Sequence, residues 1–196
     1  MKRSGLLAAL TPALIAVVPA LAGPEVFTID PARTSITFEL QATGHDVEGT
    51  MPAPTGEITF DAATGEASGQ VTIDLHGAQT GNTSRDKTMH GDVFETEKFP
   101  LVTFTAQRVE GTLPPAGTSD VALHGILAIH GAEHPMTLRG KAHHDGSRLV
   151  VDAAFEIPYV AWGMHDPSWF VLRVAKTVQV KLKAEGTISS SVTAAR

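Results

Sequence analysis

The sequence contains no cysteine. Disulfide bonds, thiol nucleophiles and lipid attachment to an N-terminal cysteine are therefore excluded. A Gly-x-Ser-x-Gly nucleophile elbow and a glycine-rich phosphate loop are also missing, so hydrolase and nucleotide chemistry have no support in the sequence. Without cross-links the chain must be stabilised by core burial and strand pairing, and closure of a sheet into a barrel would supply both.

Basic residues are few. The 196 residues include 15 Lys and Arg against 21 Asp and Glu, which gives a formal net charge of −6. This balance argues against a nucleic-acid partner. The acidic residues are spread without long runs, as on an ordinary solubilising surface, and no basic patch indicates docking on anionic lipid.

Long hydrophobic runs are missing except near the N-terminus, where Lys2 and Arg3 precede an apolar run from Leu6 to Val18. The run ends at the small-residue triplet Ala20-Leu21-Ala22, which is typical of a cleavable secretory signal. It is shorter than the roughly 20 residues that a spanning helix needs. The sequence therefore predicts a signal peptide cleaved after Ala22 and no integral membrane segment in the mature protein.

The predicted mature chain has the length of one domain. Loss of Lys2 and Arg3 with the signal would move the formal net charge from −6 to −8. We predict a signal peptide at 1–22, one domain at 23–188 and a polar tail at 189–196.

Apolar residues in the rest of the chain alternate with polar ones, as in half-buried β-strands. The alternating sets are Ile36, Phe38, Leu40; Ile58, Phe60; Val71, Ile73, Leu75; Val102, Phe104, Ala106; Val121, Leu123; Leu127, Ile129; Met136, Leu138; the odd positions of 149–157; and the even positions of 178–184. Glycine-, proline- and aspartate-rich turn signals separate them. These sets predict an all-β protein of about eight meandering antiparallel strands.

Periodicity alone does not separate a sandwich from a closed up-and-down barrel. The inward positions are aliphatic or Phe, and an eight-stranded barrel has an interior wide enough for one small ligand. We therefore predict the barrel.

One segment interrupts the strand pattern. Residues 85–95 place Met89 and Val93 on one stripe of a short helix, and Thr83 is positioned to cap it. We expect this helix at the barrel mouth, either as a structural plug or as a lid.

Several motifs in the same region resemble the YceI-like family of secreted bacterial lipocalin-like barrels. The motifs are Thr80-Gly81, Arg85-Asp86 and Phe99-Pro100, and the resemblance continues through residues 27–30, 35–38, 56–61, 121–131 and 159–173. It implies an antiparallel lipocalin-like barrel in the periplasm, no catalytic apparatus and no cofactor. It also implies a long apolar ligand, such as a polyisoprenoid, a quinone-like molecule or another lipid chain, and makes a homodimer an available assembly, although no exposed apolar stripe in the sequence indicates one.

An apolar cargo needs few directed contacts, since each methylene moved out of water gains roughly 0.8 kcal/mol. The candidate tunnel-lining residues are Phe38, Phe60, Met89, Phe94, Phe104, Trp162, Trp169 and Phe170. Each of them is also compatible with an ordinary core position. The sequence departs from the family pattern at Thr34-Ser35, Thr88, Met89 and Glu95, so ligand preference is expected to differ.

Arg85 has two interpretations. It pairs with Asp86 and fixes the helix, or it lies at the tunnel mouth and contacts a ligand head group such as a phosphate.

His130 and His134 form an H-x-x-E-H pattern with Glu133, which in a helix would be typical of a zinc peptidase. Gly131, Pro135 and flanking strand alternation instead predict a three-residue hairpin loop, so we do not expect an enzyme. A hairpin still leaves a metal-binding protein that uses His130 and His134 as the alternative function.

Overall fold

The computed structural model describes residues 23–191. The predicted signal peptide and the last residues of the predicted tail lie outside this range. The ten strands are β1 (Glu25–Ile29), β2 (Ser35–Leu40), β3 (Val47–Met51), β4 (Thr55–Asp61), β5 (Glu66–Asp74), β6 (Leu101–Gly111), β7 (Ala116–Ile129), β8 (Ala132–Asp145), β9 (Arg148–Ile157) and β10 (Val178–Ser190). Strand β10 therefore continues two residues into the segment predicted as a polar tail.

The sheet is closed. Consecutive strands from β4 to β10 are antiparallel neighbours, and β10 pairs with both β1 and β2. Because β1 and β2 follow each other along the same side of β10, they act as one interrupted strand, and β3 and β4 form a second one beside them. The result is the predicted closed antiparallel barrel of eight strands with one short helix.

Alternate residues point into the barrel. On β7 and β8 the inward pairs include Leu123 with Leu138 and Leu127 with His134. Two inward phenylalanines cover glycines: an added Cβ at Gly49 would lie 2.1 Å from the Phe38 ring, and one at Gly125 would lie 2.5 Å from the Phe104 ring. These glycines let large rings lie against the backbone of the barrel wall.

The helical segment lies between β5 and β6. A 3₁₀ turn (Leu75–Gly77) is followed by α1 (Thr83–Thr88), which continues as a single π turn over Met89–Val93. The N-cap is Asn82, whose side chain accepts a hydrogen bond from the Arg85 amide at 3.0 Å. The prediction of Thr83 as the cap was wrong, because Asn82 has the extended backbone that a cap requires.

On the outer wall, at the break between β1 and β2, two exposed arginines surround the buried Glu185. Arg148 donates two hydrogen bonds to the Glu185 carboxylate, at 2.8 and 2.9 Å, and Arg33 donates a third at 3.1 Å. The Thr34 hydroxyl donates to the Glu185 carbonyl and accepts from the Glu185 amide. The two arginines, Arg148 first, lower the pKa of Glu185 to about 2.

No helix within residues 23–191 has the length and apolar character needed to cross a membrane.

Candidate ligand cavity

The barrel interior contains a cavity of about 150 Å³. Its wall is almost entirely apolar, as the inward alternation of the strands requires. The lining residues come from most strands of the barrel and include Phe27, Ile58, Phe60, Phe104, Leu113, Leu138, Ala142, Leu149, Val151 and Leu182. Such a space favours an apolar molecule.

The cavity reaches the end of the barrel opposite α1. Ala62 follows β4, while Thr112 and Leu113 follow β6, and all three line it. Among the sequence-predicted residues, Phe60 and Phe104 line this cavity. The aliphatic part of the lining, including Leu149 and Val151, is not among the predicted residues, although both lie on the alternating odd positions of β9.

The end that carries α1 is filled instead. Met89 is 9% exposed and packs in one buried cluster with Leu75, Tyr159 and Met164. The predicted lining residues Phe38, Phe94 and Trp162 belong to this cluster or pack against it. The structure therefore brings Phe38, Met89, Phe94 and Trp162 together as the packing of one end, whereas Phe60 and Phe104 line the cavity.

Trp162 closes a gap in the wall. The register of β8 with β9 runs from Gly140–Ala153 to Asp145–Arg148, so the part of β8 before Gly140 has no registered partner on β9. Trp162, from the segment after β9, stacks on His134 of β8 with ring centroids 4.1 Å apart and planes at 6°. The indole therefore covers a part of β8 that has no registered partner on β9.

Trp169 and Phe170 lie outside the barrel. Their exposed fractions are 78% and 82%, and neither side chain lines the interior. They belong to the turn between β9 and β10, where alternation does not decide which way a side chain points.

Arg85 does not pair with Asp86 directly. Its guanidinium donates to the Thr80 hydroxyl at 2.8 Å and to the Thr80 carbonyl at 3.0 Å. The Asp86 carboxylate accepts from the Thr80 hydroxyl and from the Thr80 amide, and these bonds, the hydroxyl first, lower its pKa. Thr80 thus joins the two residues, and the role of Arg85 toward a head group stays a prediction.

The two histidines of the H-x-x-E-H pattern have different surroundings. His130 and Gly131 form a two-residue turn, both with positive φ, and not the expected three-residue loop. His130 Nε2 lies 2.8 Å from the Glu95 carboxylate, while His134 points inward against Trp162. Across residues 23–191 no three His, Asp or Glu side chains form a group that could hold a metal ion.

A second concave surface lies on the outer face of the wall. It has a volume of about 950 Å³ and is open to solvent, with charged side chains of both signs such as Lys141, Asp152 and Lys183. Lys141 is already paired with Asp120 at 2.9 Å. The interior cavity is smaller, but its wall is almost entirely apolar.

A closed eight-stranded antiparallel barrel with an apolar cavity places the chain among the small barrels whose interior can hold one ligand. The chain belongs to the YceI-like domain family, whose model matches residues 27–186.

The fold is shared with solved structures of low sequence identity. A Burkholderia cenocepacia protein, BcnA, is 22% identical, with a TM-score of 0.68 over 81% of this chain and 99% of that one. A polyisoprenoid binding domain from Saccharophagus degradans, implicated in plant cell wall breakdown, is 18% identical, with a TM-score of 0.65 over 82% of this chain and 98% of that one. The Campylobacter jejuni YceI protein is 20% identical, with a TM-score of 0.58 over 73% of this chain and 85% of that one. No curated protein matches the chain.

Proposed function

We propose that this protein is a non-catalytic binding protein of the bacterial periplasm that sequesters or carries one long apolar molecule, such as a polyisoprenoid, a quinone-like molecule or another lipid chain. The observation that carries the proposal is the apolar cavity inside the barrel, whose lining includes Phe60, Phe104 and Leu149. Family membership supports it, and so does the shared fold with the Saccharophagus polyisoprenoid binding domain.

Burial of the ligand supplies the affinity. Each methylene that enters the cavity gains roughly 0.8 kcal/mol, and an apolar wall imposes little chemical selectivity along the chain of the ligand. The protein would therefore discriminate by length and thickness more than by functional groups.

The cavity volume adds a structural requirement. Pockets for drug-sized ligands start at about 300 Å³, and this cavity measures about 150 Å³. A long chain must therefore extend beyond this space, and toward the α1 end it would have to displace the packing of Met89 and Trp162. Met89 is suited to such movement because its unbranched side chain adapts to irregular space.

Native mass spectrometry of the protein purified from the periplasm of its own host, followed by organic extraction, tests the function. We expect a bound apolar molecule that is released by the solvent. A barrel that is reproducibly empty and takes up neither polyprenyl nor quinone probes would refute the proposal.

Export is a separate part of the proposal. Expression of the full chain in a Gram-negative host, followed by fractionation and N-terminal sequencing, should recover a periplasmic protein that begins at Gly23. An uncleaved cytoplasmic protein would contradict it without bearing on the ligand.

A further inference from the structure

Four consecutive apolar residues protrude from the turn between β9 and β10. The exposed fractions are 78% for Trp169, 82% for Phe170, 73% for Val171 and 43% for Leu172. We call these four residues the apolar tip. A contiguous exposed apolar patch on a monomer often marks an interaction site.

The tip is an ordered turn. Trp169 and Leu172 exchange two backbone hydrogen bonds, at 2.9 and 2.7 Å, which leaves Phe170 and Val171 at the corner. Phe170 has a φ of 43°, a left-handed conformation that a bulky residue rarely adopts. The turn therefore maintains an unfavourable backbone conformation with the Phe170 ring in solvent.

The base of the tip is fixed on both sides. The Val174 amide donates to the Ser168 hydroxyl at 3.0 Å, and the Arg173 amide donates to the Thr43 hydroxyl at 3.0 Å. The Thr43 amide in turn donates to the Arg173 carbonyl at 2.9 Å. These bonds join the base to the segment after β2 and present the four side chains together.

The area of the tip suits a lipid surface better than a second copy of the chain. At about 150–250 Å² for an aromatic side chain, the four residues expose on the order of 500 Å². A stable specific interface takes about 800 Å² from each partner. A convex turn can enter the interfacial layer of a bilayer without needing a complementary partner, and Trp favours that layer.

The charges beside the tip do not select an anionic surface. Arg173 and Lys176 are the nearest cations along the chain, and Lys176 lies 3.7 Å from the Asp166 carboxylate. We propose that the apolar tip docks the protein on a phospholipid bilayer by inserting Trp169 and Phe170 into the interfacial layer. Apolar insertion drives this docking, so neutral lipid suffices.

The connection that carries the tip also reaches the barrel interior. Tyr159 and Met164 are 5% and 3% exposed within the core of the α1 end, and Trp162 covers the gap beside β8. Docking through the tip would therefore bring the α1 end of the barrel toward the bilayer. The inference goes beyond the proposed function and does not depend on which ligand the cavity holds.

The test uses the chain from Gly23 onward and vesicles of pure phosphatidylcholine. The protein has two tryptophans, so Trp162→Phe leaves Trp169 as the only indole reporter. We expect this variant to float with vesicles and its emission to shift to the blue when they are added.

The Trp169→Ser, Phe170→Ser double variant should bind vesicles at least ten-fold more weakly than the wild type. Leu101→Ser is the matched control, because Leu101 is a 51% exposed apolar residue at the start of β6 that does not belong to the apolar tip.

The vesicle measurements distinguish docking through the apolar tip from its alternatives. The proposal is supported if vesicle binding depends only weakly on salt, and if binding is lost in the double variant but kept in Leu101→Ser. Absence of vesicle binding in the wild type, or unchanged binding in the double variant, overturns it. Analytical ultracentrifugation that shows a dimer dissociated by the double variant also overturns it, because a second copy would then cover the tip. Unchanged thermal unfolding of the double variant ensures that lost binding is not lost folding.

Discussion

The two ends of the barrel interior are built from the same strands but are filled differently. At the α1 end, long connections between β5 and β6 and between β9 and β10 insert Met89, Trp162 and Met164 into the interior. At the opposite end the connections are short, and Leu113 is the main side chain that they add to the lining. The strands therefore form the interior of the barrel, and the side chains of the connections determine which part of that interior remains a cavity.

The largest effect on stability is expected at a buried aromatic ring of the cavity wall. Phe104 is 4% exposed and its ring covers Gly125, so Phe104→Ala should lower the free energy of unfolding by about 3–5 kcal/mol. Phe170→Ala is the control, because Phe170 is 82% exposed and its loss should change stability by less than about 0.5 kcal/mol. Urea unfolding measures both. Equal losses would contradict the burial assigned to Phe104.

Truncation of one side chain should cost more stability at the α1 end than at the opposite end. Met89→Ala removes a side chain packed within a buried cluster and should cost about 3 kcal/mol. Leu113→Ala removes one that is only partly buried, so its cost should be about half as large. Denaturant unfolding of the two variants compares them. A larger loss for Leu113→Ala would reverse the assignment of the ends.

The ion-pair cluster at the break between β1 and β2 predicts a pH dependence. The pKa of Glu185 is lowered from its ordinary 4.5 to about 2 by Arg148 first and by Arg33. The unfolded chain therefore binds the proton first as pH falls, so the stabilisation is complete above about pH 4.5 and is lost between pH 4.5 and 2. Thermal unfolding across this range should show the loss in the wild type and a smaller loss in Glu185→Gln. Identical pH profiles would remove Glu185 from the explanation.

The smallest effect is expected at the start of α1. Asn82→Ala removes the side chain that accepts from the Arg85 amide and should destabilise the protein by about 1 kcal/mol. Ser84→Ala, at an exposed position in the same turn, should change stability by less than about 0.5 kcal/mol. A matching loss in both variants would mean that Asn82 does not act as the cap.

Much of the fold could be predicted because strand alternation depends on burial at every second residue. The odd positions of β9 and the even positions of β10 face inward as expected. Gly125 lies between two predicted apolar sets that form the single strand β7. Its role under the Phe104 ring depends on a contact across strands that sequence spacing does not encode.

The candidate site could be predicted only in part. Phe60 and Phe104 were accessible from the sequence because both lie on regular strands. Trp169 and Phe170 lie in a turn, where an aromatic residue has no fixed inward or outward direction. Arg85 and Asp86 are adjacent in sequence, yet their joint contact with Thr80 depends on how the segment before α1 bends back.

Binding of a fluorescent polyene fatty acid to two alanine variants tests the central claim most directly. Ala142 is 1% exposed and lines the cavity, so Ala142→Leu should fill it and weaken binding at least ten-fold. Ala154→Leu adds the same side chain at an exposed position on β9 and should bind the probe as the wild type does. Equal affinity in the two folded variants would contradict a ligand site in the barrel cavity.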